Sequence, residues 1–205
     1  REALSGVHLN DWRIAPLIFC VYGLFSWLLR IWVQERDALR QTTERAERLR
    51  KAANTDTLTG IANRRVAERT LGVFAAGQRR YAVMMIDIDH FKSVNDQYGH
   101  DTGDRILQCI AEALQGRMRV QDTVARWGGE EFLVIVESVT RDEAASIAES
   151  LRALVEQGTA AILKTTISIG VAHSDVGQGV DQILKRADEG LYAAKNSGRN
   201  KVVTV

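Results

Sequence analysis

Cysteine is scarce in this 205-residue sequence: Cys20 lies in an apolar run and Cys109 in a helical pattern, far apart. Two isolated thiols form neither a metal-ligand pair nor a secreted disulfide framework, so a reducing compartment is the natural home of the folded part. A charge imbalance is missing too. With 27 basic and 26 acidic residues the net charge is +1, and no overall field marks a nucleic-acid partner. None is expected, and partners must be sought in local sites. Internal repeats and low-complexity tracts are absent as well. The length suits one full-sized domain with an appendage.

Charge is missing locally from Ile14 to Leu29, with Trp12, Trp27 and Trp32 near the ends of the run. The run is slightly short of the ~20 apolar residues that cross a bilayer. However, Arg13 and Arg30 can snorkel at its edges, and Ile31 to Val33 extend it. A spanning helix over about residues 14–33 is therefore expected; the alternative is a buried helix of a larger sensory module. No small-residue cleavage site follows, which argues against a signal peptide. Arg36, Arg40, Arg45, Arg48, Arg50 and Lys51 make the segment after the span much more basic than the one before it. The positive-inside rule then puts the C-terminal part in the cytoplasm.

Proline and glycine are absent from Gln34 to Asn54, where Leu39, Ala46 and Ala53 share one heptad position and Thr42 and Leu49 another. A parallel coiled-coil connector is expected, with a weak seam because alanine and threonine bury little surface; a solvated single helix is the alternative. The polar triplet Asn54-Thr55-Asp56 is read as ending that helix and capping the next. The expected domains are thus an N-terminal segment 1–33 with the span, a helical linker 34–54 and a folded domain 55–205. Because Arg1 rather than methionine opens the sequence, a sensory region upstream is also expected.

Beyond the linker, strands and helices alternate. Helices are expected over Thr59 to Gly77, Ser93 to Gln115 (interrupted at Tyr98-Gly99-His100-Asp101), Arg141 to Glu156 and Val180 to Asn196. Strands are expected over Tyr81 to Asp87, Thr123 to Trp127, Phe132 to Glu137 and Thr165 to His173, with Lys201 to Val205 as an edge strand. Gly128-Gly129-Glu130-Glu131 reads as a hairpin tip whose glycines allow positive φ. Together these imply an α+β fold with helices packed on a mixed sheet.

The apolar strand Val83 to Ile86 ends on Asp87-Ile88-Asp89, and the hairpin tip adds Glu130 and Glu131. Hard oxygen ligands from two segments suit Mg²⁺ bridged to phosphates, and no plausible His/Cys set points to zinc. Any one of these acids, taken alone, is as readily a cap or a solvated turn residue.

The string Gly128-Gly129-Glu130-Glu131-Phe132 resembles the signature of the GGDEF family of diguanylate cyclases, in its variant with glutamate at the third position. Four further stretches resemble that family in order. They are Asp56-Thr57-Leu58-Thr59-Gly60-Ile61-Ala62-Asn63-Arg64-Arg65, Asp87-Ile88-Asp89-His90-Phe91-Lys92, Asn95 to Asp104, and Ala187 to Asn200. The resemblance implies the ferredoxin-like palm of nucleotide cyclases and the condensation of two GTP into cyclic di-GMP plus two pyrophosphates. It implies two Mg²⁺ per active site, with Mn²⁺ as a substitute, and an active homodimer at the bacterial inner membrane.

It also implies roles residue by residue. Asp87, the backbone carbonyl of Ile88 and Glu130 match metal ligands, with Glu131 as a ligand to the second metal. Glu130 is also credited with helping to deprotonate the attacking hydroxyl, although direct metal contact would keep its own pKa low. Asn95 and Asp104 match guanine readers: a carboxylate accepts from N1–H and N2–H₂, whereas adenine presents an acceptor at N1. His100 falls at a nucleotide-binding position, or simply satisfies a turn. Lys92, Lys195 and Arg199 match phosphate contacts, and backbone N–H groups around His90 and Phe91 suit an anion nest. Arg119-Val120-Gln121-Asp122 resembles the family's inhibitory product site, arginine pairing with phosphate or guanine and aspartate with N1 and N2. Two rival readings are a non-catalytic GGDEF module that senses cyclic di-GMP or GTP, and an adenylyl cyclase or polymerase palm.

Overall fold

The computed structural model describes residues 15–174 and 178–205. The N-terminal segment before Ala15, including the flanking Trp12, Arg13 and Ile14, lies outside the described residues. So do the side chains of Leu39 and Ala46, on which the coiled-coil seam was argued. The chain divides after Lys51 into two units.

In the first unit the expected span and linker are one continuous helix, α1 (Ala15–Asn54, 40 residues). At 1.5 Å per residue this is about 60 Å long. Its Ala15–Thr43 portion is long and apolar enough to cross a membrane by length and composition. Leu17, Phe19, Tyr22, Phe25 and Trp27 are all exposed along it, and Arg36 stacks over the Trp32 ring at 5.3 Å.

The second unit is a six-stranded mixed sheet with helices on both faces. In chain order it comprises β1 (Ala62–Asn63), α2 (Arg64–Ala76), β2 (Tyr81–Ile88), α3 (Phe91–Tyr98), α4 (His100–Arg117), β3 (Thr123–Arg126), β4 (Glu131–Glu137), α5 (Arg141–Gly158), β5 (Ile167–His173), α6 (Val180–Asn196) and β6 (Val202–Thr204). The strand order is β1-β3-β4-β2-β5-β6. Strand β2 sits between two antiparallel neighbours, β4 and β5, while β1 and β6 pair in parallel at the edges.

Every residue of β2 is buried, because helices cover both faces and the pleat sends alternate side chains to each. Ala82, Met84, Ile86 and Ile88 join the α4/α5 core with Ile106, Ile110, Leu114 and Leu151. Tyr81, Val83 and Met85 join the α2/α6 core with Leu71, Phe74, Ile183 and Leu191. Each fully buried aliphatic side chain of this kind contributes about 1.5–3 kcal/mol. Helix α6 packs so closely on β5 that a Cβ at Gly170 would collide with the backbone of Ala187 and Leu191.

Three expectations need correction. The first helix of this unit begins at Arg64 rather than near Thr59, and its cap is Asn63, whose side chain accepts from the Val66 N–H. Asp56 instead caps a local turn, accepting from the Thr59 N–H at 2.9 Å and hydroxyl at 2.7 Å. The two-residue strand β1 was not foreseen, being too short to carry any alternation. Finally, the positive-φ glycines of the described residues are Gly60, Gly99 and Gly198, not those of the hairpin tip. At Gly128 a Cβ would meet the end of the Glu131 carboxylate, which would have to swing aside.

Candidate active site

The carboxylates converge because β2 and β4 end together. Asp87 is paired with Glu131 in the β2–β4 register, and the Ile88 N–H donates to the Glu130 carbonyl at 3.3 Å. Asp87 is buried beneath the tip. Its position in the pleat turns it toward α6, where Lys195 Nζ lies 2.8 Å from Asp87 Oδ2. Burial pushes the Asp87 carboxyl above the ordinary range despite this lysine and the nearby charge of Arg199; Asp89 adds to the rise. Burial, then the charges of Asp87 and Glu131, also raise Glu130, with Lys195 opposing. Lys195 was expected at phosphate; here it lies against the carboxylate.

Among the described residues no three His, Cys, Asp or Glu side chains converge as a ready-made metal cage. What is present is a sparse set of hard oxygens: the Asp87 carboxylate against the Lys195 ammonium, with Glu130 and Glu131 on the adjoining hairpin tip. That set fits a divalent cation whose remaining coordination comes from substrate phosphates and water.

The nucleotide-turn residues sit where α3 follows β2. His90 is left-handed (φ 58), and no side chain caps the N-terminus of α3, which leaves first-turn N–H groups available to an anion. Phe91 is 6 % exposed and packs into the core, so only its backbone can face a ligand. Lys92 is exposed on the same turn. Gly99, at φ 83, permits the sharp turn from α3 into α4. Asn95 from α3 is pressed against Gly103 of α4, where any side chain would strike its amide. Its Oδ1 is buried against Gly103 without a hydrogen-bond partner among the described residues. Asp104 and His100 are exposed along α4.

Two residues to which the sequence assigned no such role organise this end. Arg126 donates to the Gly129 carbonyl through Nε at 3.2 Å and Nη2 at 2.7 Å, and pairs through Nη1 with Asp56 at 3.1 Å. It thereby ties the hairpin tip to the start of the unit. Asp89, grouped by sequence with the metal acids, is instead buried in a hydrogen-bond network with Thr166 and Ser168. The sequence offered no signal for Arg126, and for Asp89 only its place in the Asp87-Ile88-Asp89 motif.

At the opposite end of β4 a cavity of about 250 Å³ is lined by Arg117, Arg119, Asp122, Val136, Glu143 and Ile147, among others. Asp122 accepts from the Arg119 N–H at 2.9 Å and, weakly, from the Glu137 N–H at 3.4 Å. Both come from backbone N–H groups, and among the described residues no ion pair joins the Arg119 side chain to Asp122.

Fold and hairpin together define a nucleotide-cyclase-type α+β domain. The family model for the diguanylate cyclase GGDEF domain matches residues 53–201, and the chain belongs to that family. It is 40 % identical over 162 residues to the diguanylate cyclase DgcM of Escherichia coli (strain K12), covering 77 % of this chain and 40 % of that protein. Among solved structures it is similar to the coiled coil and GGDEF domain of DgcB from Caulobacter crescentus in complex with c-di-GMP. There the TM-score is 0.79 at 28 % identity, over 87 % of this chain and 99 % of the other. It is also similar to the diguanylate cyclase SiaD of Pseudomonas aeruginosa in complex with its activator SiaC, with TM-score 0.72 at 32 % identity, over 94 % and 77 %. The chain thus spans less than half of the curated relative.

Proposed function

We propose that this chain condenses two GTP into cyclic di-GMP and two pyrophosphates. The observation that carries the reading is buried Asp87 held against Lys195 at 2.8 Å beneath the tip that carries Glu130, with both acids raised in pKa where a cation would relieve them. Asp87, the Ile88 carbonyl and Glu130 would hold Mg²⁺, with Mn²⁺ as a substitute and Glu131 beside a second ion; these ions supply positive charge against the reacting phosphates.

The chain's own residues do the rest. Asp104 accepts from guanine N1–H and N2–H₂, and Asn95 offers its unpartnered Oδ1 to the same nucleotide. Lys92, Lys195, Arg199 and the first N–H groups of α3 take the triphosphate, with His100 bordering the nucleotide. In each half-reaction the 3′-oxygen of one GTP bonds to the α-phosphorus of the other, the α–β bridging bond breaks, and pyrophosphate leaves on the lysine and arginine. Glu130 takes part in removing the hydroxyl proton.

One domain holds one such ligand set and the product needs two GTP, so the active species is a homodimer. Helix α1 supports it by raising the effective concentration of the domains, as membrane span (about 14–33) and linker (34–54) ahead of the cyclase domain (55–205). The division after Lys51 and the family match from residue 53 support that boundary. The basic segment after the span puts the domain in the cytoplasm of a bacterial inner membrane. The Arg119/Asp122 cavity is read as the inhibitory product site.

Incubation with Mg²⁺ and GTP or ATP, followed by product chromatography, tests the reading. Cyclic di-GMP is expected from GTP alone, with specific activity rising with protein concentration. Tight GTP binding without turnover would leave a receptor module instead.

A further inference from the structure

Asp89 is a buried carboxylate that the proposed chemistry does not use. It is 5 % exposed, two residues beyond Asp87, and its partners among the described residues are neutral donors. Oδ1 accepts from Ser168 Oγ at 2.7 Å; Oδ2 accepts from Thr166 Oγ1 at 2.7 Å and from the Asn200 backbone N–H at 2.9 Å. Burying a carboxylate is costly even when it is well bonded. The Asn200 bond reaches across 111 residues of sequence, to the loop that follows α6.

That loop is strained. Gly198, Arg199 and Asn200 have φ values of 111°, 61° and 46°, three successive residues on the left-handed side. Non-glycine residues stay there only where the surroundings over-determine them. Here the surroundings are specific. Asn200 Oδ1 accepts from Arg152 Nη1 at 2.6 Å, and its Nδ2 donates to Glu156 Oε2 at 3.3 Å, both on α5. The Arg199 N–H donates to the Ala194 carbonyl at 3.1 Å. Arg199 is therefore suspended between two pinned points, Ala194 and Asn200. The Asn200–Asp89 bond sets this loop two residues along the chain from Asp87, and Lys195, four residues before Arg199, contacts Asp87 itself, so the pinned loop borders the carboxylate site.

We infer that Asp89 is a positioning residue which, through the Asn200 backbone and with the Arg152/Glu156 tether, holds Arg199 over the phosphate subsite and so sets affinity for the triphosphate tail of the substrate. The inference rests on reading Arg199 as a phosphate ligand. It separates the two aspartates of one strand end: Asp87 faces the reaction, and Asp89 faces the loop that delivers a cation to it.

The test measures binding of 3′-deoxy-GTP, which lacks the attacking hydroxyl, together with kcat and KM for GTP. It uses the full chain carrying Asp89→Ala, Asn200→Ala, Arg199→Ala and the two doubles with Arg199→Ala. Each single change is expected to weaken analogue binding and raise KM by about tenfold, the size of one lost phosphate contact, with a smaller change in kcat. Adding Arg199→Ala to either partner is expected to change little further, because the arginine is already displaced. Asp89→Asn should recover most of the affinity, since its Oδ1 can still accept from the Asn200 N–H while its amide donates to Ser168 Oγ. Asn200→Ala carries the test if Asp89→Ala fails to fold, because its side chain is only half-buried. Full additivity with Arg199→Ala would overturn the inference and leave Asp89 a plain fold residue. A silent Arg199→Ala would overturn the phosphate reading of Arg199 first, and the inference with it.

Discussion

The two ends of strand β4 hold similar residues under opposite electrostatic terms. At the Glu130 end, burial is the main reason that Asp87 and Glu130 have raised pKa values, and one lysine does not reverse it. At the far end, beside the Arg119 cavity, Glu143 is held below its usual range by the Thr140 backbone N–H and hydroxyl in a capping box. Asp122, beside the same cavity, accepts from two backbone N–H groups. A capping acid such as Glu143, whose charge the fold stabilises, is serving the fold. An acid whose charge the fold disfavours is open to a ligand that brings compensation, as the cation proposed for Asp87 and Glu130 would.

Four changes would break or sharpen that contrast. The largest effect is expected from Glu130→Gln and, separately, Asp87→Asn: each removes charge with little change of volume, and cyclic di-GMP formation should fall at least ~100-fold while circular dichroism stays native. Near-wild-type turnover in a folded variant would remove the metal assignment. Asp104→Asn comes next. The amide cannot accept from both N1–H and N2–H₂, so discrimination of GTP over ATP should fall by about tenfold or more, as read from competing kcat/KM values.

Arg119→Ala probes the other end. Initial rates should stay near wild type while inhibition by added cyclic di-GMP weakens several-fold; progress curves that match wild type would make the cavity a structural void. The smallest effect is thermal. With metal chelated at pH 7, Glu130→Gln should raise Tm by about 2 °C, because neutralising an acid whose folded pKa is raised removes a cost that exists only when it is ionised. The sign is fixed by linkage: that cost is complete above the folded pKa and gone once both folded and unfolded forms are protonated, below pH ~4. The two Tm values should therefore converge in acid, and Mg²⁺ should reverse their order at pH 7. Asp56 has the opposite slope. Burial pushes its carboxyl up, but hydrogen bonds from Thr59 and Arg126 outweigh that and leave it low, so its contribution is complete above pH ~4 and is lost as pH falls through the depressed value.

Where local signals were strong, sequence reading and structure agree closely. Val180 to Asn196 was read residue for residue, and the run from Tyr81 was read as a strand to within one residue of its end. Agreement fails where the deciding partner is remote. Thr59 looks like a helix start, yet its N–H and hydroxyl close a turn on Asp56, which Arg126, 70 residues away, also holds. Gly128 and Gly129 looked like residues chosen for φ, yet neither has a positive φ. Phe91 was read only through its backbone N–H; that its ring belongs to the core was not legible.

The sequence by itself determined the family, the order of elements, the helix able to span a membrane and the acids that end β2 and open β4. These are set by short-range periodicity and by side chains close together along the chain. Only the tertiary structure decided which of those acids carry strained charge, that Lys195 faces Asp87, and that Asn95 keeps an unpartnered acceptor against Gly103. It also separated Asp87 from Asp89, which stand two residues apart at one strand end and share their chemistry but differ in what lies across from them. Burial and opposing charge depend on residues brought together from distant parts of the chain, and local spacing carries no record of them.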